Sequence, residues 1–340
     1  MNTDLTSSLV ARQNILNNQY AIKKLEEHLQ LSGLVLEGEV IYTKAQVAII
    51  LDIDERTIER YIAKNVGELN TSGYRVIKGK LLKELKKNYV DDMCVGDMID
   101  PKSPSLGVFS FRAVLNLSML VTESERARAM RSRLLDIAID VIAEKSGGHA
   151  QYINQRDADY LPTAFMEESY RKQFTNALRD YLDMGNFKYG LYTDKIYQAI
   201  FKENSAEYKK VLKLADRDKT RETMYVEVLK VIASFEHGLA QEMAGEYERL
   251  GRKLTPKELD QLIDRAKESP YMKPSIEDAR VRMASRDLGF RAALHHKLEE
   301  YIQAVPQGDF ERFLGDKSRT LEEQLSDTKT MDVLRRLKDR

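Results

Sequence analysis

The sequence predicts a mainly α protein: an N-terminal helix-turn-helix with a short β-wing, followed by one or more helical bundle domains. Three observations predict it. The stretch IYTKAQVAIILDIDERTIERYIAKN, residues 41–65, carries two short helical periodicities around a turn. A run of β-type residues between glycines, Tyr74, Val76 and Ile77, follows it. From residue 109 onward apolar residues recur at helical spacing with few interruptions, and the 340 residues include only seven prolines. A hydrophobic content of 42% supports sizeable cores, and the length suits two or three domains.

Composition also excludes several classes. Lysine plus arginine number 54 against 54 acids, so any nucleic-acid binding must be local. The single cysteine, Cys94, allows no internal disulfide, and no histidine lies near it in sequence to make it a nucleophile. The start, MNTDLTSSLVARQNIL, lacks the basic and apolar regions of a signal peptide. No apolar run approaches a membrane span. The expectation is a cytoplasmic protein without membrane contact.

Residues 1–38 read as one helix and a link. Leu9, Ile15, Leu16, Ile22, Leu25 and Leu29 recur at roughly helical spacing, and residues 31–38 lead onward. Such a helix can pair with a second copy or pack on its own chain. Residues 39–90 form the helix-turn-helix unit. Thr43 is the expected N-cap, with Gln46 three positions later as in a capping box. Val47, Ile50 and Leu51 give the first helix its apolar face. Asp54 or Glu55 starts the second helix, where Ile58 and Ile62 point inward. That leaves Glu55, Arg56, Thr57, Arg60, Tyr61 and Lys64 to face a DNA groove, with Thr43 and Lys44 at the start of the first helix.

Beyond a turn at Ser72-Gly73, residues 73–87 hold six basic side chains against the single acid Glu84. Arg75, Lys78 and Lys80 are the candidate phosphate contacts, with Lys83 and Lys86 behind them. Residues 40–90 together carry ten bases and six acids, a local surplus in a neutral chain. Residues 91–148 are expected to be a loop, spanning about 88–107, and then two helices near 110–121 and 123–144. The break falls at Thr122-Glu-Ser-Glu125. Arg126, Arg128, Arg131 and Arg133 crowd the first half of the second helix.

The order helix-turn-helix, basic extension, then FSFRAVLNLSMLVTESERARAMRSRLLDIAIDVI resembles the RhuM-type and phage antirepressor-like DNA-binding proteins of bacteria. Glu125-Arg-Ala127 through Arg131 and Arg133 carry the likeness, which spans roughly residues 40–145. It implies double-stranded DNA as partner and a place beside Fic-type or other toxin genes, hence a toxin or other protein as a further partner. Association through the first helix, the second half, or both is separately expected to make a homo-oligomer.

Residues 149–340 read as a helical C-terminal domain, after a polar run from Ser146 to Asp159. Phe187, Tyr189, Tyr192, Tyr197, Phe201 and Tyr208 suggest an aromatic core, with a base-stacking surface as the alternative. Thr255-Pro256-Lys-Glu258 is a strong helix start. Further helices are expected near 275–303 and 320–338. His295 with Glu299, or His296 with Glu300, lie one turn apart, but no third ligand completes a metal site. Glu236 and His237 diverge by about 100° on a helix and share no face. Arg280, Arg282, Arg286 and Arg291 suit an acidic partner or internal pairing equally. There is no P-loop, no G-x-S-x-G, no G-x-G-x-x-G and no H-P-F-x-x-G-N of Fic enzymes. No cofactor, metal or catalytic residue is expected. The leading expectation is a sequence-specific DNA-binding regulator or toxin–antitoxin component of bacterial or prophage origin. The alternatives are an effector with its active site in the helical half, and a module that binds only protein.

Overall fold

The computed structural model describes residues 4–89, 99 and 102–338. The chain divides into two compact units, Met1–Val141 and Ile142–Arg340. The mainly α class is as the sequence predicts, with one small antiparallel sheet.

The first unit opens with α1 (Leu9–Asn17) and α2 (Gln19–Leu29) in place of the single helix expected over 8–30. Asn18 makes the break. It is buried, its side chain accepts from the Ala21 amide, and its own amide donates to the Ile15 carbonyl. A side chain that satisfies the first free amide of a new helix favours stopping there. The expected link is then a hairpin of β1 (Leu34–Leu36) and β2 (Glu39–Thr43), with Leu34 opposite Ile41 and Leu36 opposite Glu39. Both turn residues, Glu37 (φ +52°) and Gly38 (φ +84°), are left-handed, the conformation that matches strand twist in a two-residue turn.

Next come α3 (Lys44–Leu51), α4 (Glu55–Lys64), α5 (Val66–Thr71), β3 (Tyr74–Lys78) and α6 (Gly79–Tyr89). Strand β4 (Ser105–Ser110), α7 (Phe111–Leu120) and α8 (Glu125–Lys145) follow. β4 corrects the expected loop over 88–107, whose middle, with Cys94, lies outside the described residues. Sheet order is β1-β2-β4-β3, so β4 sits centrally, and Phe109 lies opposite both Tyr42 and Tyr74.

Alternation along the strands gives the sheet two buried faces. Leu34, Leu36, Ile41, Ile77 and Val108 pack on Leu82 and Leu85 of α6. Tyr42 and Phe109 face a larger core with Val47, Leu51 and Ile58 of the helix-turn-helix and Val114 and Leu117 of α7. Ile15, Leu16 and Leu25 belong to that same core, so α1 and α2 pack on their own chain. Arg12 fastens them: it is buried, donates to the Leu5 carbonyl at 2.7 Å, and grips Glu68 of α5 at 2.7 and 2.8 Å. The segments that the sequence separates at residues 38 and 90 thus share one core.

The second unit contains α9 (Tyr160–Tyr181), α10 (Lys188–Phe201), α11 (Ser205–Val211), α12 (Val226–Leu250) and α13 (Pro256–Glu268). It ends with α14 (Lys273–Phe290), α15 (Gln307–Leu314), α16 (Leu321–Ser326) and α17 (Thr328–Lys338). Helix α12 is the axis, packed by α9, α10, α13 and α14. Thr255 and Glu258 form the expected capping box with Pro256 inside it. Tyr192, Tyr197, Phe201 and Tyr208 are buried and belong to the core, whereas Phe187 is exposed and Tyr189 half-buried, so the expected aromatic core holds for only part of the series. The helix expected over 275–303 stops at Phe290; Ala292 is left-handed (φ +50°) and a 3-10 turn covers His296–Tyr301. The last expected helix is two, with Asp327 between them accepting from Thr330 at 3.0 Å. Among the described residues no helix is long and apolar enough to cross a membrane.

Candidate nucleic-acid interface

Helix α3 ends at Asp52, which is left-handed (φ +53°) and returns its amide to the Ala48 and Ile49 carbonyls. Two residues later Asp54 caps α4, accepting from the Thr57 amide at 2.8 Å and the Thr57 hydroxyl at 3.1 Å. Those bonds hold the Asp54 carboxyl below the usual carboxylate range. Ile58 is fully buried beneath α4. The opposite side of the helix presents Glu55, Arg56, Glu59, Arg60 and Lys64 to solvent. A ten-residue helix, held by a short turn and anchored by one apolar face, has the geometry that groove insertion requires.

The predicted contacts do not all stand free. Thr43 is fully buried, and its hydroxyl accepts from the Gln46 amide at 3.1 Å in a complete capping box. It is a structural cap and offers DNA nothing, which corrects its place among the contacts. Lys44 is half-buried and lies between Glu55 (3.1 Å) and Glu59 of α4. Burial pushes its ammonium down, but the two carboxylates prevail and raise it, while Lys44 lowers Glu59 in return. Lys44 therefore ties α3 to α4. Thr57 spends its hydroxyl on Asp54. Arg60 pairs with Glu123, and the Tyr61 hydroxyl donates to the same carboxylate at 2.7 Å, which holds Glu123 below its ordinary value. Arg75 lies 3.2 Å from Glu39. Lys78, Lys80 and Lys83 are exposed, whereas Lys86 donates to the Ser103 carbonyl at 2.8 Å.

Sequence reasoning missed Glu123 and the role of the segment around it. Ser124 caps α8 by accepting from the Ala127 amide at 3.0 Å, and its hydroxyl also reaches the Leu51 carbonyl. Arg126 donates to the Ile49 carbonyl at 2.9 Å, and Arg131 to the Ser118 carbonyl at the same distance. The start of α8 therefore clamps the end of α3 and the face of α4. Two glutamates, Glu123 and Glu125, followed by four arginines were the available signal, but such a run shows charge and not partner.

Several candidate groups of the second unit pair with one another inside the fold. His295 is fully buried: Nδ1 lies 2.8 Å from Glu203, and Nε2 meets Asp287. Asp287 also pairs with Arg291. Arg286 is buried between Glu227 (2.9 Å) and Asp309 (3.2 Å). Arg280 donates to the Ile200 and Ala199 carbonyls at 2.7 and 2.9 Å, and Arg282 lies 3.3 Å from Asp278. The arginines of this helix are thus paired internally. Glu236 is buried against Arg221 while His237 meets Gln173 at 3.1 Å, on different sides of α12. Among the described residues no group of three or more histidine, cysteine or acidic side chains could hold a metal ion.

No family model matches this chain, and neither a curated protein nor a solved structure does.

Proposed function

We propose that the first unit reads double-stranded DNA with α4 and grips its backbone through Lys78 and Lys80, as a transcription regulator of the kind that RhuM-type and antirepressor-like proteins exemplify. The observation that carries this reading is the solvent-facing row of Arg56, Arg60 and Lys64 on a helix held by the Asp52–Asp54 turn. Base-edge reading needs a rigid helix with polar side chains that project from it, and phosphate binding needs exposed cations beside it.

The test is fluorescence anisotropy with the protein's own promoter DNA at several salt concentrations. Arg56→Ala and Arg60→Ala are expected to weaken specific binding by about 1–3 kcal/mol each and to blunt the preference among sequences. Lys78→Ala with Lys80→Ala is expected to flatten log affinity against log salt by up to about two while preserving that preference. Unchanged affinity in both arginine variants, or an unchanged salt slope in the lysine pair, would sink the reading.

One helix of this length covers a single half-site, so two copies are expected to bind together. Ile15, Leu16 and Leu25 of α1 and α2 pack in their own core, which favours a contact between copies through the second unit. Sedimentation equilibrium at tens of micromolar checks this, and a monomer both free and on DNA contradicts it.

A further inference from the structure

The second unit contains a cavity of about 1130 Å³ that no motif in the sequence announces. Part of its wall belongs to a buried triad of Glu167, Arg221 and Glu236. Arg221 donates to both oxygens of Glu236, at 2.6 and 3.1 Å, to Glu167, and to the Tyr197 hydroxyl at 2.9 Å. Glu236 is fully buried, and Glu167 and Arg221 are only 6% and 8% exposed. Two carboxylates against one guanidinium leave a negative charge in excess where little water can solvate it, a costly arrangement unless a cation answers it. Glu167, Arg221 and Tyr197 line the cavity, so that charge borders open space.

The nearby cations answer it poorly. Lys219 is paired with Glu222 at 3.0 Å, and Lys209 donates to the Asp216 carbonyl at 2.5 Å. Arg171 and Arg217 line the cavity from exposed positions, where water and salt screen them. Phe165 and Tyr189 add apolar wall, and Phe165 is 41% exposed. A carboxylate in a sheltered cleft beside aromatic rings is the chemistry that recognises an organic cation.

We propose that this cavity binds a small organic cation, an amine or guanidinium, whose charged head meets Glu167 and whose body lies against Phe165 and Tyr189. The volume exceeds the roughly 300–1,000 Å³ usual for ligand sites, so an extended aliphatic chain fits with its water. The site lies wholly in the second unit and does not depend on the reading of the first.

The test is calorimetric titration of the full chain with agmatine and with spermidine, against sodium chloride at matched ionic strength. Saturable binding of at least one probe is expected, weakened roughly tenfold or more by Glu167→Gln, the scale of a lost charged hydrogen bond. Phe165→Ala is expected to weaken it several-fold without disturbing the core, since that ring is already partly in solvent. Melting curves establish that each variant is folded, and Phe165→Ala decides the matter if Glu167→Gln does not fold. No saturable binding of either probe up to about 10 mM, weaker than any useful affinity, overturns the proposal. So does unchanged affinity in the folded variants.

Discussion

Asp287→Ala is expected to cost the second unit about 3–5 kcal/mol of stability, the scale for removing one partner from a buried ion pair. Asp287 is fully buried and serves two cations at once, Arg291 four residues on and His295 beyond the helix end. Burial alone would push its carboxyl up, but Arg291 and His295 hold it below the usual range. Removing it strands a guanidinium whose side chain is 2% exposed. The same cluster sets a pH dependence. Burial pushes the His295 imidazole down, yet Asp287 and Glu203 raise it to about 9 from 6.5. A group whose folded value is raised contributes stability that is full below its unfolded value and is lost as pH climbs through its folded value. The second unit should therefore hold its stability up to about pH 6.5 and lose it progressively toward and through pH 9. Urea unfolding of wild type and His295→Gln across pH 6–10 checks this. A flat wild-type profile, or the same slope in both proteins, contradicts it.

Phe109→Ala should remove about 3–5 kcal/mol from the first unit, the range for emptying a large aromatic site in a core. The ring is fully buried near the end of β4, an inner strand of the sheet, stands 4.8 Å from Tyr74, and lies opposite Tyr42 as well. It therefore joins both neighbouring strands to the helical core under α3 and α4. Loss of this ring should loosen the sheet and the helix-turn-helix together. Hydrogen exchange would report faster exchange in both β3 and α4. If exchange quickens only in the strands, the helix pair draws its rigidity from the start of α8 instead.

Much of this fold is written in short spacings. Thr43 with Gln46 and Thr255 with Glu258 announce their capping boxes, because both partners sit within one helical turn. The apolar positions Val47, Leu51 and Ile58 name the buried side of the helix pair for the same reason, and the buried tyrosines of α10 follow their periodicity. Strand β4 escaped because six residues with glycine and serine among them carry no period of their own, and only pairing on both sides makes them a strand. The hairpin escaped because its turn places a glutamate, unusual at a left-handed position, before Gly38.

The candidate interface divides along the same line. By itself the sequence determined which helix would face outward and which lysines would follow it, since amphipathic spacing and local charge are properties of neighbouring residues. Only the tertiary structure decided that Arg60 meets Glu123, 63 residues away, that Arg75 meets Glu39, and that Thr43 is spent on a cap. It alone assembled Asp287, His295 and Glu203 into one buried cluster and set Glu167 and Glu236 around Arg221 beside a cavity. Such partners come from different helices, and a charge in the sequence states its sign but not which opposite charge the packing will bring within reach.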